Sequence, residues 1–235
     1  MWEFDTEVSE IIERTPQVKS FRLPIRGDDA SYAPGQFFFI TIKIDGKEAV
    51  HHFSFSSSPT EKGRIEFTKR ITPHEFSQAL AAMKPGAPAH VRGPLGAFTL
   101  PPQKRKLAFL SGGIGITPLR SMLRYIADGQ DRWDIVLLYG NGTADEIVFR
   151  DELDAIARSD SGLRIVHVLS SPPPGWTGKT GFIDSKVVAE AAPDYAERLH
   201  YISGPPKMVT SLEDQLTALS VPRTQLRRDS FTGYD

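Results

Sequence analysis

FLSGGIGITPLRSML, residues 109–123, is the stretch on which the reading of this chain turns. The apolar run KLAFLSG ends without a loop in Gly112, Gly113 and Gly115, and a helix is expected from about Thr117 with Pro118 in its first turn, where a missing N–H costs nothing. Glycines let a ligand approach the backbone, and a helix start offers unpaired N–H groups with a partial positive charge, a setting suited to a diphosphate. Alone, such a loop is as readily a tight strand-to-helix turn. YISGPPKM, residues 201–208, repeats the arrangement with Gly204, Pro205 and Met208. In a parallel sheet both turns fall on one edge and bound a crevice.

The patterning around these turns agrees. DIVLLYG, LRIVHVLS and LHYISG are continuous apolar runs, each followed by a helix-like segment such as PLRSMLRYIA, ADEIVFRDELDAIA or PKMVTSLEDQLTAL. Strands covered by helices on both faces read this way, so residues 102–235 are expected to form an α/β domain with a parallel sheet. Before the Pro-rich and basic LPPQKRK (100–106) the apolar residues alternate instead, in WEFDTEVSEII, VKSFRLPI, QFFFITIKI, AVHHFSFS, RIEFTKRI and AHVRG. Residues 1–101 are therefore expected to form an antiparallel β-barrel or sandwich, interrupted by one helical segment, HEFSQALAAM (74–83).

With 235 residues, 24% charged and 40% hydrophobic, the composition is that of a globular protein of one or two domains. A formal net charge of -1 gives no electrostatic reason to expect nucleic acid as a partner. The absence of cysteine excludes a disulfide, a nucleophilic thiol and a cysteine-held iron–sulfur cluster within the chain. MWEFDTEVSEII lacks the pattern of a leader, and no apolar run reaches the length of a membrane span, so the expectation is a soluble, cytoplasmic protein with a small-molecule or protein partner.

HHFSFSSSP, residues 51–59, alternates Phe with hydroxyl residues as a half-buried strand would, and a strand so rich in hydroxyls must face something polar. In chain order HHFSFSSSP, GPLGAFTL, GGIGITP, SGPPKM and DSFTGYD resemble the motifs RxYSxxS, GPxGxF, GGxGxTP, CGPPxM and the aromatic C-terminus of the ferredoxin–NADP reductase superfamily. PGQFFF (34–39), WTGKTG (176–181) and YGN with FRDEL (139–153) add to the likeness, which spans essentially the whole chain. The resemblance implies a flavin-binding barrel followed by a pyridine-nucleotide domain. It also implies a flavoprotein that takes hydride from NADH or NADPH and passes electrons to a separate carrier protein or small acceptor. FAD is favoured over FMN because the start of HEFSQAL offers a place for a second phosphate.

Residue by residue, the resemblance sets Phe53 against the flavin ring and Ser54 beside its reactive N5. His51 stands where the family has an arginine for a flavin phosphate, and an imidazole has neither the permanent charge nor the fork. His52, Lys69, Arg70 and the helix start at His74 to Ser77 are candidates to compensate. Gly93 and Gly96 belong to the turn beneath the flavin, Ser203 replaces a cysteine near the nicotinamide, and Asp229 and Phe231 match the acidic and aromatic ending, with Tyr234 further on. A Ser-Arg pair marks NADPH users after the third strand of the α/β domain; here Ser170 is followed by Ser171. Gly142, Asp145 and Glu146 offer no cation at the second strand end, so NADH is expected, unless Lys179 or Arg150 reaches the site. Two further readings are carried: a diffusible flavin reductase, and a non-catalytic subunit that docks a redox partner.

Overall fold

The computed structural model describes residues 1–25, 30–103, 105–129, 132–159 and 162–231. Strands β1 (Trp2–Glu7), β7 (Pro88–Leu95), β4 (Phe37–Ile44) and β5 (Lys47–Ser54) form an antiparallel sheet in that order. A second sheet has the order β2 (Glu10–Thr15), β3 (Val18–Pro24), β6 (Arg64–Arg70). The run WEFDTEVSEII, read from sequence as one strand, is two. At Val8 and Ser9 the chain changes partner, the Val8 N–H donating to the Ala87 carbonyl and the Ser9 N–H to that of Arg22.

Alternation puts Phe38, Ile40 and Ile42 of β4, Phe21 and Leu23 of β3, Ile65 and Phe67 of β6 and Val91 of β7 into one core. Phe21 stacks on Phe67 at 5.0 Å and Phe38 on Phe55 at 4.7 Å, so a few large rings fill the space between the sheets. Helix α1 (Glu75–Ala82) closes one end with buried Phe76 and Leu80.

The second half contains a parallel six-stranded sheet in the order β11 (Lys179–Thr180), β10 (Leu163–Leu169), β9 (Asp134–Asn141), β8 (Lys106–Gly112), β12 (Leu199–Gly204), β13 (Leu226–Ser230). Successive residues of β8 serve opposite faces: Leu107 and Phe109 meet α2 (Ile116–Asp128) and α3 (Arg150–Ser159), while Ala108 and Leu110 meet α4 (Ser185–Ala191) and α5 (Pro206–Ala218). Both faces are therefore dry, which is why these strands are apolar throughout. The chain winds outward from β8 to β11 and then returns to place β12 on the other side of β8. That reversal opens the crevice at which such sheets bind ligands, and both glycine turns border it.

The two halves are held by a polar junction. Buried Arg120 of α2 donates to the Ser56 carbonyl at 2.8 Å and pairs with Glu61 from the first half and with Glu152 of α3 at 2.7 Å. Ser121 donates to the Ser57 carbonyl at 2.6 Å, and Thr60 to Asp128 at 2.5 Å. Phe149, buried at φ +61°, lies near the guanidinium groups of Arg14 and Arg120, at 4.9 and 5.4 Å.

Candidate functional site

Two continuous cavities lie along the crevice. The smaller, about 300 Å³, gathers His51, His52, Phe53 and Ser54 of β5, Lys69 of β6, Ser77 of α1, Thr117 of α2, and Asp229 and Phe231 at the end of the described chain. The larger, about 1080 Å³, is bordered by Gly112, Gly113, Pro205 and Met208 and by the ends of β9 and β10. Thr72, His74 and Ile114 line both.

In the smaller cavity Phe53 stacks on Phe67 at 4.6 Å and leaves one ring side to the cavity. Ser54 donates to Asp229 across 3.4 Å, a long bond that joins the two halves at the cavity wall. Burial raises the Asp229 carboxyl to about 6, against the lowering effect of that bond. Burial brings Lys69 down to about 8, which leaves it a cation at neutral pH, and its ammonium lies 5.7 Å from the Phe53 ring centre. His51 is pushed below its ordinary range by burial, then by Lys69 and His52, so it is a neutral imidazole at pH 7. Ser77 accepts from the Thr72 N–H at 2.8 Å and so shapes the turn ahead of α1.

Several residues singled out from sequence stand outside both cavities, and packing is the reason. A Cβ on Gly115 would lie 2.3 Å from the Ser203 carbonyl oxygen, so this glycine lets the loop lie on the end of β12. Gly204 is likewise closed by Met208 at 2.7 Å, Gly93 by Phe38 at 2.8 Å and Gly96, at φ +95°, by the Phe37 ring at 2.9 Å. Pro118 is buried in α2. Ser203 is buried, its hydroxyl without a partner, beside Asp229 in register on β13. Arg70, read as a possible partner of the flavin phosphate, turns to the larger cavity instead. Tyr234 lies outside the described residues.

The structure adds residues that sequence reading did not select. Tyr139 donates from its hydroxyl to the Gly113 carbonyl at 3.0 Å and so fixes the loop. Asn141 and the strongly exposed ring of Phe182 (81%) line the larger cavity. An exposed aromatic next to a cavity is a platform for a planar base, and the GF pair after WTGKT was the signal for it. Among the described residues no group of side chains is arranged to hold a metal ion.

Residues 5–100 match the family model described as an oxidoreductase FAD-binding domain, and residues 109–214 match that of an oxidoreductase NAD-binding domain. NADH-cytochrome b5 reductase 1 of Aspergillus terreus is 31% identical over 225 residues, which cover 91% of this chain and 76% of that protein. The chain belongs to the ferredoxin–NADP reductase superfamily. Members of known structure share its fold: the cytochrome b5 reductase domain of Ulva prolifera nitrate reductase superposes with a TM-score of 0.86 at 23% identity, covering 97% of each chain. A ferredoxin NADP+ reductase from Neisseria gonorrhoeae superposes at 0.83 and 19% identity, covering 97% of this chain and 98% of that one.

As a member of that superfamily the protein is an FAD-dependent oxidoreductase that draws hydride from a nicotinamide nucleotide and delivers electrons to a separate acceptor. The smaller cavity fits a flavin ring: its volume is within the range of ligand sites, Phe53, Phe76, Ile114 and Phe231 supply apolar wall, and Lys69 and the α1 start supply positive charge. Bound FAD supplies the redox chemistry. The cavity wall carries the Ser54 hydroxyl and the Asp229 carboxyl, and its two sides come from different halves, so that the orientation of a bound group is fixed by both.

Proposed function

We propose that this is an NADH-preferring reductase that hands electrons singly to a small carrier protein of the cytochrome b5 kind. The observation that carries the nucleotide preference is the set of charges around the larger cavity. Glu146 and Asp184 line it together with the cations Arg70 and Lys207, Ser170 stands at the third strand end, and neither Lys179 nor Arg150 is in its wall. Lys179 pairs instead with Glu190, and Arg150 with Asp154 at 3.8 Å while lying over the Trp176 ring. At the third strand end a 2′-phosphate would meet Ser170 and Ser171 without the arginine that NADPH users carry there. One charge-assisted contact is worth roughly 1.5–3 kcal/mol, an order of magnitude or two in selectivity.

The carrier is proposed from two facts: relatives at 31% identity are named for cytochrome b5, and a chain without cysteine holds no iron–sulfur centre of its own. In the same reading Ser54 and Asp229 attend the reactive edge of the flavin, Phe53 and Phe231 cover it, and Ser203 stands behind Asp229. Purified protein should be yellow and release FAD on chromatography. Its kcat/KM should be at least about ten times higher with NADH than with NADPH, and it should reduce a b5-type cytochrome, followed by haem absorbance. A higher kcat/KM for NADPH would overturn the nucleotide preference.

A neutral His51 in place of a permanent cation favours a second reading, a reductase of diffusible flavin. Flavin lost on dialysis, with turnover rising on added free flavin, would select it.

A further inference from the structure

Glu66 of β6 is 1% exposed, and its carboxylate is shared by three partners. Arg14 reaches it at 3.1 Å, Arg22 at 2.8 Å and the Ser56 hydroxyl at 3.0 Å. Its main chain grips the same segment. The Glu66 carbonyl accepts from the N–H groups of Ser56 at 2.8 Å and Ser57 at 3.3 Å, and its own N–H donates to the Ser57 hydroxyl at 2.8 Å. A carboxylate paired with two guanidinium groups only accepts, and this fixes the direction of each hydroxyl linked to it. Ser56 donates to Glu66 and therefore accepts from Thr68 at 2.8 Å. Thr68, its proton committed, accepts from Ser20 at 2.7 Å, and Ser20 accepts from Arg14 Nε at 2.8 Å. The bonds close into a ring through Arg14, Ser20, Thr68, Ser56 and Glu66, and Thr68 lines the flavin cavity. Ser56 and Ser57 also offer their carbonyls to Arg120 and Ser121 of the second half, so residues 56–57 are held from both sides.

We propose that Glu66 is a positioning residue: by pinning Ser56 it sets the place of the Ser54 hydroxyl, two residues earlier, at the reactive edge of the flavin. The inference rests on the reading of Ser54 as a flavin-site residue. The Ser54 side chain makes one hydrogen bond, the 3.4 Å contact with Asp229, which is too long to hold it in place. Its position therefore comes from the backbone, and on the barrel side that backbone is anchored by Glu66. Phe55, between the two serines, is buried and stacked on Phe38 at 4.7 Å and Tyr32 at 3.9 Å, so the segment is a rigid piece. Burying a carboxylate carries a large desolvation cost, and apolar packing at the same place would serve stability alone as well. What the ionic ring adds over an apolar core is one geometry, because each hydroxyl in it has a single direction.

The test is Glu66→Gln in the FAD-loaded protein, alone and combined with Ser54→Ala. The amide keeps the size of the side chain, and Arg22 keeps Glu10 at 2.7 Å. It also donates where the carboxylate accepts, so the ring loses its single direction. Stopped-flow reduction of the flavin by NADH should slow roughly 5- to 10-fold, with FAD and NAD+ affinities within about 2-fold of the parent protein. Because Glu66 acts through Ser54, the double variant should be no slower than Ser54→Ala alone. Carbon-13 NMR titration of the Asp229 carboxyl in the flavin-free protein gives a readout without turnover. Its midpoint should rise in Glu66→Gln as it does in Ser54→Ala, since the bond that lowers it is displaced in one and removed in the other. Ser56→Ala, which leaves the Glu66 charge with its arginines, should give the same pattern more weakly and serves if Glu66→Gln does not fold. An unchanged rate and an unchanged Asp229 midpoint, or a loss that multiplies with that of Ser54→Ala, overturns the positioning role and leaves Glu66 a stabiliser of the barrel alone. A normal rate in Ser54→Ala itself would instead overturn the reading of Ser54, and the inference with it.

Discussion

At the scale of single residues the most consequential contact is the 3.4 Å bond from Ser54 to Asp229. Burial raises the Asp229 carboxyl from its ordinary 3.8 to about 6, and the hydroxyl holds it back from rising further. Ser54→Ala should therefore move the Asp229 titration upward. Stopped-flow reduction of the flavin by NADH should slow by about 10-fold, roughly 1.4 kcal/mol of barrier, with the pH at which the rate breaks shifted up. An unchanged rate at every pH, with flavin content verified, would remove Ser54 from the site. The raised carboxyl also has a stability consequence. Between about 4 and 6 the folded state of the flavin-free protein holds a proton that the unfolded chain has lost. Stability therefore falls as pH rises through this window, by about 3 kcal/mol in all. Asp229→Asn should abolish that fall in denaturation curves taken across the window; an unaltered pH dependence would show that the carboxyl is not raised.

At the scale of elements, local rules made some parts legible and left others hidden. The GGIGITP turn was readable because a strand ending in glycines before a helix is set by near neighbours in sequence. The reason for each glycine was not: Gly112 and Gly115 give way to Met208 and to the end of β12, contacts made by residues far along the chain. HHFSFSSSP was read as a strand facing the flavin, and His51, His52, Phe53 and Ser54 do line that cavity. Ser56, Ser57 and Ser58 are buried elsewhere, Ser56 donating to buried Glu66 at 3.0 Å and Ser57 accepting from the Glu66 N–H at 2.8 Å. Periodicity could have warned that Lys69 and Arg70 cannot share a cavity. It could not find β13, whose sequence LRRDS is charged because the strand lies at a sheet edge. That strand carries the ending into the site: the Phe231 N–H donates to the Gly204 carbonyl at 3.0 Å and its ring lines the flavin cavity. Deleting residues 231–235 should shift the flavin absorption bands and change the affinity for NAD+. Identical spectra and affinity would mean that the ending contributes nothing to the site.

At the scale of the whole molecule, function depends on two halves meeting at a fixed angle, because the flavin cavity takes β5, β6 and α1 from one and Thr117, Asp229 and Phe231 from the other. The junction that fixes them is unusually polar for its burial. Arg120 is shared between Glu61 and Glu152, with Ser56 offering a carbonyl and Phe149 lying against the guanidinium. A shared buried charge of this kind ties the halves together: separation leaves Glu61 without its buried partner and Arg120 with Glu152 alone, although Glu61 keeps the Ser58 N–H at 2.8 Å and Arg64 at 3.2 Å. The two halves should accordingly unfold as one cooperative unit even without cofactor, although each has its own core. Arg120→Met removes the shared charge and keeps much of the volume. It should lower stability by about 2–4 kcal/mol, somewhat below a fully buried pair because the carboxylates retain partial access to water. The sharper expectation concerns shape. Calorimetry of the flavin-free variant should resolve two transitions where the parent protein shows one, because the other polar contacts across the junction, among them Ser121 to Ser57, Thr60 to Asp128, Ser54 to Asp229 and Arg70 to Glu146, are neutral, long or peripheral. Thr60→Ala, removing the peripheral bond to Asp128 and a local one to Ser58, should leave the single transition intact. Two transitions already present in the parent protein would show that the halves are coupled by the cofactor and not by Arg120.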